Sequence, residues 1–190
     1  MTVPRYLFST FLILAAGCAL SPQVIPIHPD IRIDNPSTNK GTLALEVVDL
    51  RNSKILGKRG GVYKETSDIS TAADITGSLR QSLAKALSKM GYEVTTGHPM
   101  PGLRVEVTSL SYRVIDDKVT RHIETRAVVN AIYKKGNKTF TNTYTVTRKK
   151  EMLTAPDEAE NETLINDTLA AALQQMLEDG ELFTLINSSF

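Results

Sequence analysis

The chain has 190 residues, 22 basic against 21 acidic side chains, one cysteine and no tryptophan. That length suits one domain with a real core. The near-neutral balance disfavours a nucleic-acid binder, which carries a basic excess, the lone cysteine excludes an intrachain disulfide, and the low aromatic content argues against a large stacking site for sugars or bases.

Residues 1–17 have the three parts of an export signal. Arg5 and the N-terminus make the positive region, Tyr6 through Leu14 the apolar region, and Ala15-Ala16-Gly17 the small residues for a peptidase pocket. The apolar run falls short of the about 20 residues needed to cross a bilayer. Leu14-Ala15-Ala16-Gly17-Cys18 reads as a lipobox, with cleavage between Gly17 and Cys18 and lipid attached to Cys18. Ala15 stands where such boxes prefer Leu. An ordinary secretory signal cut near Ala16 would leave Cys18 a stray thiol, and an odd cysteine in an exported protein calls for an explanation that lipidation supplies. At ~0.8 kcal/mol per buried CH₂, three acyl chains, palmitate among them, make a permanent anchor. Ala19 rather than Asp follows the cysteine, which by analogy with Gram-negative lipoproteins directs the protein to the periplasmic face of the outer membrane.

Residues 18–40 read as a lipidated N-terminus and Pro-rich tether, and 41–190 as a single periplasmic domain. Pro22, Pro26, Pro29 and Pro36 favour semi-rigid extended chain, which at ~3.1 Å per residue reaches at most about 70 Å. Val24, Ile25, Ile27, Ile31 and Ile33 are too apolar for a free linker, so part of it is expected to lie along the domain, with Ile31-Arg32-Ile33 as a short edge strand.

Thr42 through Leu50 predicts the first strand of the domain, and Arg51 to Asp68 a long hairpin-like excursion punctuated by Gly57, Gly60 and Gly61. Thr71 is expected to open a helix, with Asp74 completing a capping box; Ile75, Leu79, Leu83, Ala86, Leu87 and Met90 form its apolar stripe and Gly91 its stop. Tyr92 to Thr95 returns as a strand, and His98 to Gly102 makes a turn. Three long strands follow. The apolar phase changes from Leu103, Val105 and Val107 to Leu110, Tyr112 and Val114, predicting a bulge near Thr108-Ser109. Pro156 and the acids from Asp157 open a second helix, whose stripe is Ile165, Leu169, Ala172, Leu173 and Met176 and whose stop is Gly180; Leu182, Phe183, Leu185 and Ile186 pack back on the domain. The predicted fold is α+β, an antiparallel sheet of about four to five strands with two amphipathic helices packed on one face.

Val48-Asp49-Leu50-Arg51, Leu56-Gly57-Lys58-Arg59-Gly60-Gly61-Val62-Tyr63, Lys89-Met90-Gly91-Tyr92 and the Leu164-Ile165…Leu169 helix, together with the lipobox, resemble the YajG family of envelope lipoproteins. The resemblance covers nearly the whole chain, and the Leu-Gly-x-Arg-Gly-Gly-x-Tyr segment is its most distinctive piece. It implies an outer-membrane lipoprotein with a small α/β periplasmic domain and no enzyme activity, and it carries over no functional residue except Cys18.

Chemistry is sparse. His28, His98 and His122 lie on tether, turn and strand without metal-ligand spacing, so no metal and no cofactor is expected. No Gly-x-Ser-x-Gly elbow or phosphate loop is present. The one candidate binding loop is Arg51, Lys54, Lys58, Arg59 and Tyr63, basic donors on flexible backbone suited to carboxylates or phosphates; a solvated hairpin is the plainer alternative. The expected function is a non-enzymatic binding or accessory component of the envelope. Its partners would be the membrane through the lipid and another envelope protein, peptidoglycan or lipopolysaccharide. An envelope hydrolase using Asp116, Asp117, His122 and Glu124, or a lipid-carrying domain with an apolar cavity, are the alternatives.

Overall fold

The computed structural model describes residues 21–34, 36–37, 40–60, 67–72, 74–96, 102–116 and 120–188. The signal segment, Cys18, Tyr63, Asp117 and the turn before Gly102 lie outside them. Eight strands and three helices follow in order: β1 (Gln23–Ile25), β2 (Gly41–Asp49), β3 (Ile55–Lys58), β4 (Asp68–Thr71), α1 (Thr76–Lys89), β5 (Tyr92–Thr96), β6 (Gly102–Asp116), β7 (Arg121–Lys135), β8 (Lys138–Met152), α2 (Glu158–Leu177) and α3 (Gly180–Asn187).

The sheet is mixed, which corrects the antiparallel expectation and its strand count. β6, β7 and β8 form the antiparallel meander, each strand 15 residues long. Parallel pairs join β2 to β5 and to β6, β3 to β6, and β1 to β4. The physical reason lies in the order strand, helix, strand. A helix that returns the chain to the neighbouring sheet position brings the second strand back parallel, and α1 does so between β2 and β5.

The long strand β6 serves two strands along one edge. Its first half pairs with β2, from Gly102 to Val107, and its second half meets β3 at Tyr112. The register shifts between Val107 and Ser109, at the position where the apolar phase changes in the sequence. On either side of that bulge the partners Val107↔Val129 and Leu110↔Ala127 keep their side chains in the core. Without the extra residue one half of β6 would turn its apolar side to solvent.

The covered face of the sheet holds Leu43, Leu45, Leu103, Val105, Ala131 and Tyr133, packed in one cluster with Leu79, Leu83 and Leu87 of α1 and Ile165, Leu169 and Leu173 of α2. Each of these leucines stabilises the fold by about 1.5–3 kcal/mol through burial. α1 begins at Thr76, not Thr71, which is the last residue of β4. Thr71 and Asp74 therefore form no capping box; Asp74 accepts from the Thr76 N–H at 2.8 Å. Gly91, at φ 98°, ends α1 in the left-handed conformation that favours glycine. α2 has the capping box that its acidic start predicts, between Asp157 and Glu160. Gly180 does not stop α2, which ends at Leu177; it opens α3, whose N-cap is Asp179.

The segment before β2 is built into the core. Gln23, Ile25, Ile27, Pro29 and Ile31 are buried, alternating with exposed neighbours, as in extended chain laid on a surface. The strand here is Gln23–Ile25, while Ile31 to Ile33 forms none. Two amides of α2 receive this segment. Asn166 accepts from the His28 N–H at 2.7 Å and donates to the Pro26 carbonyl at 2.9 Å, and Asn161 donates to Gln23 Oε1 at 2.8 Å.

Gly57 lies against β6 so closely that a Cβ there would stand 1.8 Å from the Tyr112 carbonyl oxygen, whereas one at Gly180 would meet nothing within 4 Å. Gly57→Ala is therefore expected to cost about 1–3 kcal/mol or more, and Gly180→Ala to be neutral or stabilising by up to about 1 kcal/mol. Urea unfolding of the two variants checks this.

Candidate functional site

β2 ends where Asp49 pairs with Val107, and β3 resumes the same edge of β6 with Gly57 opposite Tyr112. Between these points the chain advances eight residues while β6 advances five. The surplus bows out as the loop containing Arg51 to Lys54.

Arg51 folds back from that loop. Its Nε and Nη2 donate to Asp49 Oδ1 and Oδ2, both at 2.8 Å, and its backbone N–H donates to Oδ1 at 3.2 Å. Nη2 also donates to Thr71 Oγ1 at 3.0 Å, tying the loop to the end of β4. The Arg51 side chain is 4% exposed and that of Asp49 18%. A guanidinium so far out of water requires a carboxylate, and losing either partner of such a pair costs about 3–5 kcal/mol. Burial pushes the Asp49 carboxyl up, but the hydrogen bonds and positive charge of Arg51 outweigh it and hold the group below its ordinary 3.8. Arg51 Nη1 is buried and has no acceptor among the described residues.

Beside this pair opens a cleft of about 500 Å³, lined among others by Asp49, Arg51, Asn52, Lys54, Asp74 and Thr76. The start of α1 forms part of its wall. Ile75, at the N-cap, offers no side-chain acceptor, and the first turn holds no acidic residue. Asp74 instead takes the Thr76 N–H and hydroxyl, which lower its carboxyl below the usual value.

The predicted basic loop divides. Arg51 and Lys54 line the cleft. Lys58 pairs with Asp68 at 2.9 Å across the β3–β4 hairpin, and Arg59 turns to the N-terminal segment, its Nη1 donating to the Ser21 carbonyl at 3.2 Å. The hydrolase candidates do not assemble a site among the described residues. Asp116 ends β6 opposite Arg121. His122 and Glu124 share a face of β7, where Nε2 of His122 is 3.2 Å from Thr120 Oγ1. Glu124 is held by Arg113 and by Lys149 at 3.5 Å, and its carboxyl is lowered, chiefly by the hydrogen bond from Arg113. Among the described residues no three His, Cys, Asp or Glu side chains gather as a metal site. Asp49, Thr71 and Thr76 are site residues that sequence reasoning missed; the Asp49-Leu50-Arg51 spacing, which puts acid and base on one side of extended chain, is the signal that could have found the first.

A family model described as uncharacterized lipoprotein matches residues 29–187. No curated protein matches the chain. Among solved structures, a protein of family DUF330 from Xanthomonas campestris is similar at TM-score 0.51 and 15% identity, over 90% of this chain and 97% of that one. A putative neuraminyllactose-binding hemagglutinin homolog from Helicobacter pylori is similar at 0.47 and 10%, over 84% and 97%. A minor lipoprotein from Acinetobacter baumannii reaches 0.41 and 16%, over 73% and 88%. The first of these supports the fold, and the fold alone.

The Asp49–Arg51 pair sets a pH dependence. The folded-state carboxyl lies below its unfolded value of 3.8, so its contribution to stability is complete above about pH 4 and is lost as the pH falls through the lowered value. Urea melts between pH 6 and pH 2 are expected to show a smaller acid loss for Asp49→Asn than for the wild type, from a lower starting stability.

Proposed function

Because the chain belongs to the family of uncharacterized lipoproteins that its residues 29–187 match, we propose that it is a non-enzymatic binding component of the cell envelope. Lipid on Cys18 holds it at the periplasmic face of the outer membrane, and the YajG-like segments support the finer assignment to those lipoproteins. The observation that carries the binding reading is the Arg51 cleft, whose wall holds the buried Asp49–Arg51 pair, exposed Asn52 and Lys54, and Thr76 at the start of α1. Of its charged groups, Asp49 and Arg51 are locked in a structural pair and Asp74 is bonded to Thr76, while exposed Lys54 is open to a ligand's negative group.

The docked segment bears on where the domain works. Gln23 is already buried against α2, and the five residues from Cys18 to Gln23 span at most about 18 Å even when fully extended. The domain therefore rides close to the lipid surface instead of at the end of the long reach that its prolines imply.

Cys18→Ser is expected to move the protein from the outer-membrane to the soluble periplasmic fraction on cell fractionation, with an unchanged melting midpoint. Membrane retention of this variant would count against the anchor. Crosslinking in cells on the lipidated protein is expected to recover a specific partner or envelope polymer, reduced when Lys54 or Asn52 is replaced by alanine.

A further inference from the structure

We propose that the outer face of β1, β4 and β3 rests on the phospholipid headgroups of the membrane that the anchor enters, with Val24 and Ile55 as its apolar contacts. The proposal rests on lipidation of Cys18 and names the surface that the anchored domain turns to the bilayer.

Strand register places the two side chains. Val24 of β1 pairs with Ser70 of β4, and Ser70 pairs in turn with Ile55 of β3. Residues opposite one another on neighbouring strands project to the same side of a sheet. Their neighbours Gln23, Ile25, Leu56, Ile69 and Thr71 are buried on the other side, Gln23 against α2. Val24, Ser70 and Ile55 thus form one outward row about 10 Å wide, with the small Ser70 between two large apolar side chains. Val24 is 58% and Ile55 51% exposed. Among the described residues the other large apolar side chains as open to water are Leu50, Ile115 and Leu153, and no two of these share a row of the sheet.

The anchor leads to this same place. β1 pairs with β4 alone and forms an edge of the sheet, and the chain that enters it comes from Cys18. Arg59, just past the end of β3, donates from Nη1 to the Ser21 carbonyl at 3.2 Å. Ser21 is three residues from Cys18, a span of at most about 11 Å, and Val24 is three residues further on. A contact too weak to recruit a free domain forms readily across so short a link, because it has become intramolecular.

The polar part of the face suits a headgroup layer. Lys58 and Asp68 lie on the same outward side and pair with each other at 2.9 Å, so the face has no surplus of charge there. Apolar burial at the interface therefore drives the contact, and anionic lipid is not required.

The test places the lipidated protein, with labelled methyl groups, in phosphatidylcholine nanodiscs containing a lipid with a gadolinium chelate on its headgroup. The methyl signals of Val24 and Ile55 are expected to be lost, and those of Leu153 and of Leu185 in α3 to be kept. The same pattern is expected when phosphatidylglycerol is added. Ile55→Asp changes an exposed position, so an unchanged melting midpoint and continued anchoring are expected, with the Val24 signal recovered. In the soluble Cys18→Ser protein the Val24 and Ile55 shifts are expected not to vary with protein concentration. Loss of Leu153 in place of Val24 and Ile55 would mean that strand ends face the bilayer. Loss only with phosphatidylglycerol would mean a charge-driven contact. A Val24 signal still lost in Ile55→Asp would mean proximity through the tether without docking. Concentration-dependent shifts in Cys18→Ser would assign the face to a second copy of the chain. Each of these would overturn the proposal while leaving the anchor in place, whereas failure of the native protein to enter nanodiscs would overturn the anchor itself.

Discussion

A guanidinium removed from water at the end of β2 is the constraint around which this part of the molecule is arranged. Arg51 reaches Asp49 behind it and Thr71 across the loop. Those contacts fix where β2 stops, how far the loop bows, and where β4 ends before α1 begins. The pair is not a source of large net stability, since desolvating two charges offsets most of their attraction. Its effect is on geometry. Arg51 is held by two of its three nitrogens, and Thr76, where α1 starts, lines the same cleft.

A second device joins α2 to the N-terminal segment. α2 turns the amides of Asn161 and Asn166 towards an extended segment of the same chain and satisfies its backbone or side-chain groups. Buried amides in a helix are expensive unless paired; here both ends of Asn166 and the Nδ2 of Asn161 are paired with the N-terminal segment, while the Asn161 Oδ1 has no partner among the described residues. The arrangement lays the segment predicted as a tether along the domain, with a short strand at Gln23–Ile25. The β6–β8 meander, with its threonine-rich outer side at Thr141, Thr143, Thr145 and Thr147, extends from the same core.

Much of the local structure was legible in the sequence. The stripes of α1 and α2, the glycine stop at Gly91 and the phase change at Thr108-Ser109 each depend on neighbours in sequence, and each lies where the pattern indicates. What was not legible depends on distant partners. The direction of β5 follows from α1 packing on β2, which no residue of β5 records. Thr71 has the residue type of a cap but is drawn into β4 by pairing with Ile25 of β1. The candidate site was half legible. Arg51 and Lys54 share a cleft, yet Lys58 and Arg59, four and five residues beyond Lys54, leave with the hairpin towards Asp68 and Ser21. Asn161 and Asn166 gave no signal, because a polar residue in a helix is read as solvent-facing until its acceptor is known.

The most direct test of this account is the behaviour of the Arg51 guanidinium in the ligand-free protein, observed through its ¹⁵Nη and attached proton signals. Separate Nη resonances, with the Nη2 protons exchanging slowly with water, are the predicted result. A single averaged, rapidly exchanging Nη signal would mean a mobile, solvated side chain, and would contradict both the buried pair and the site built on it.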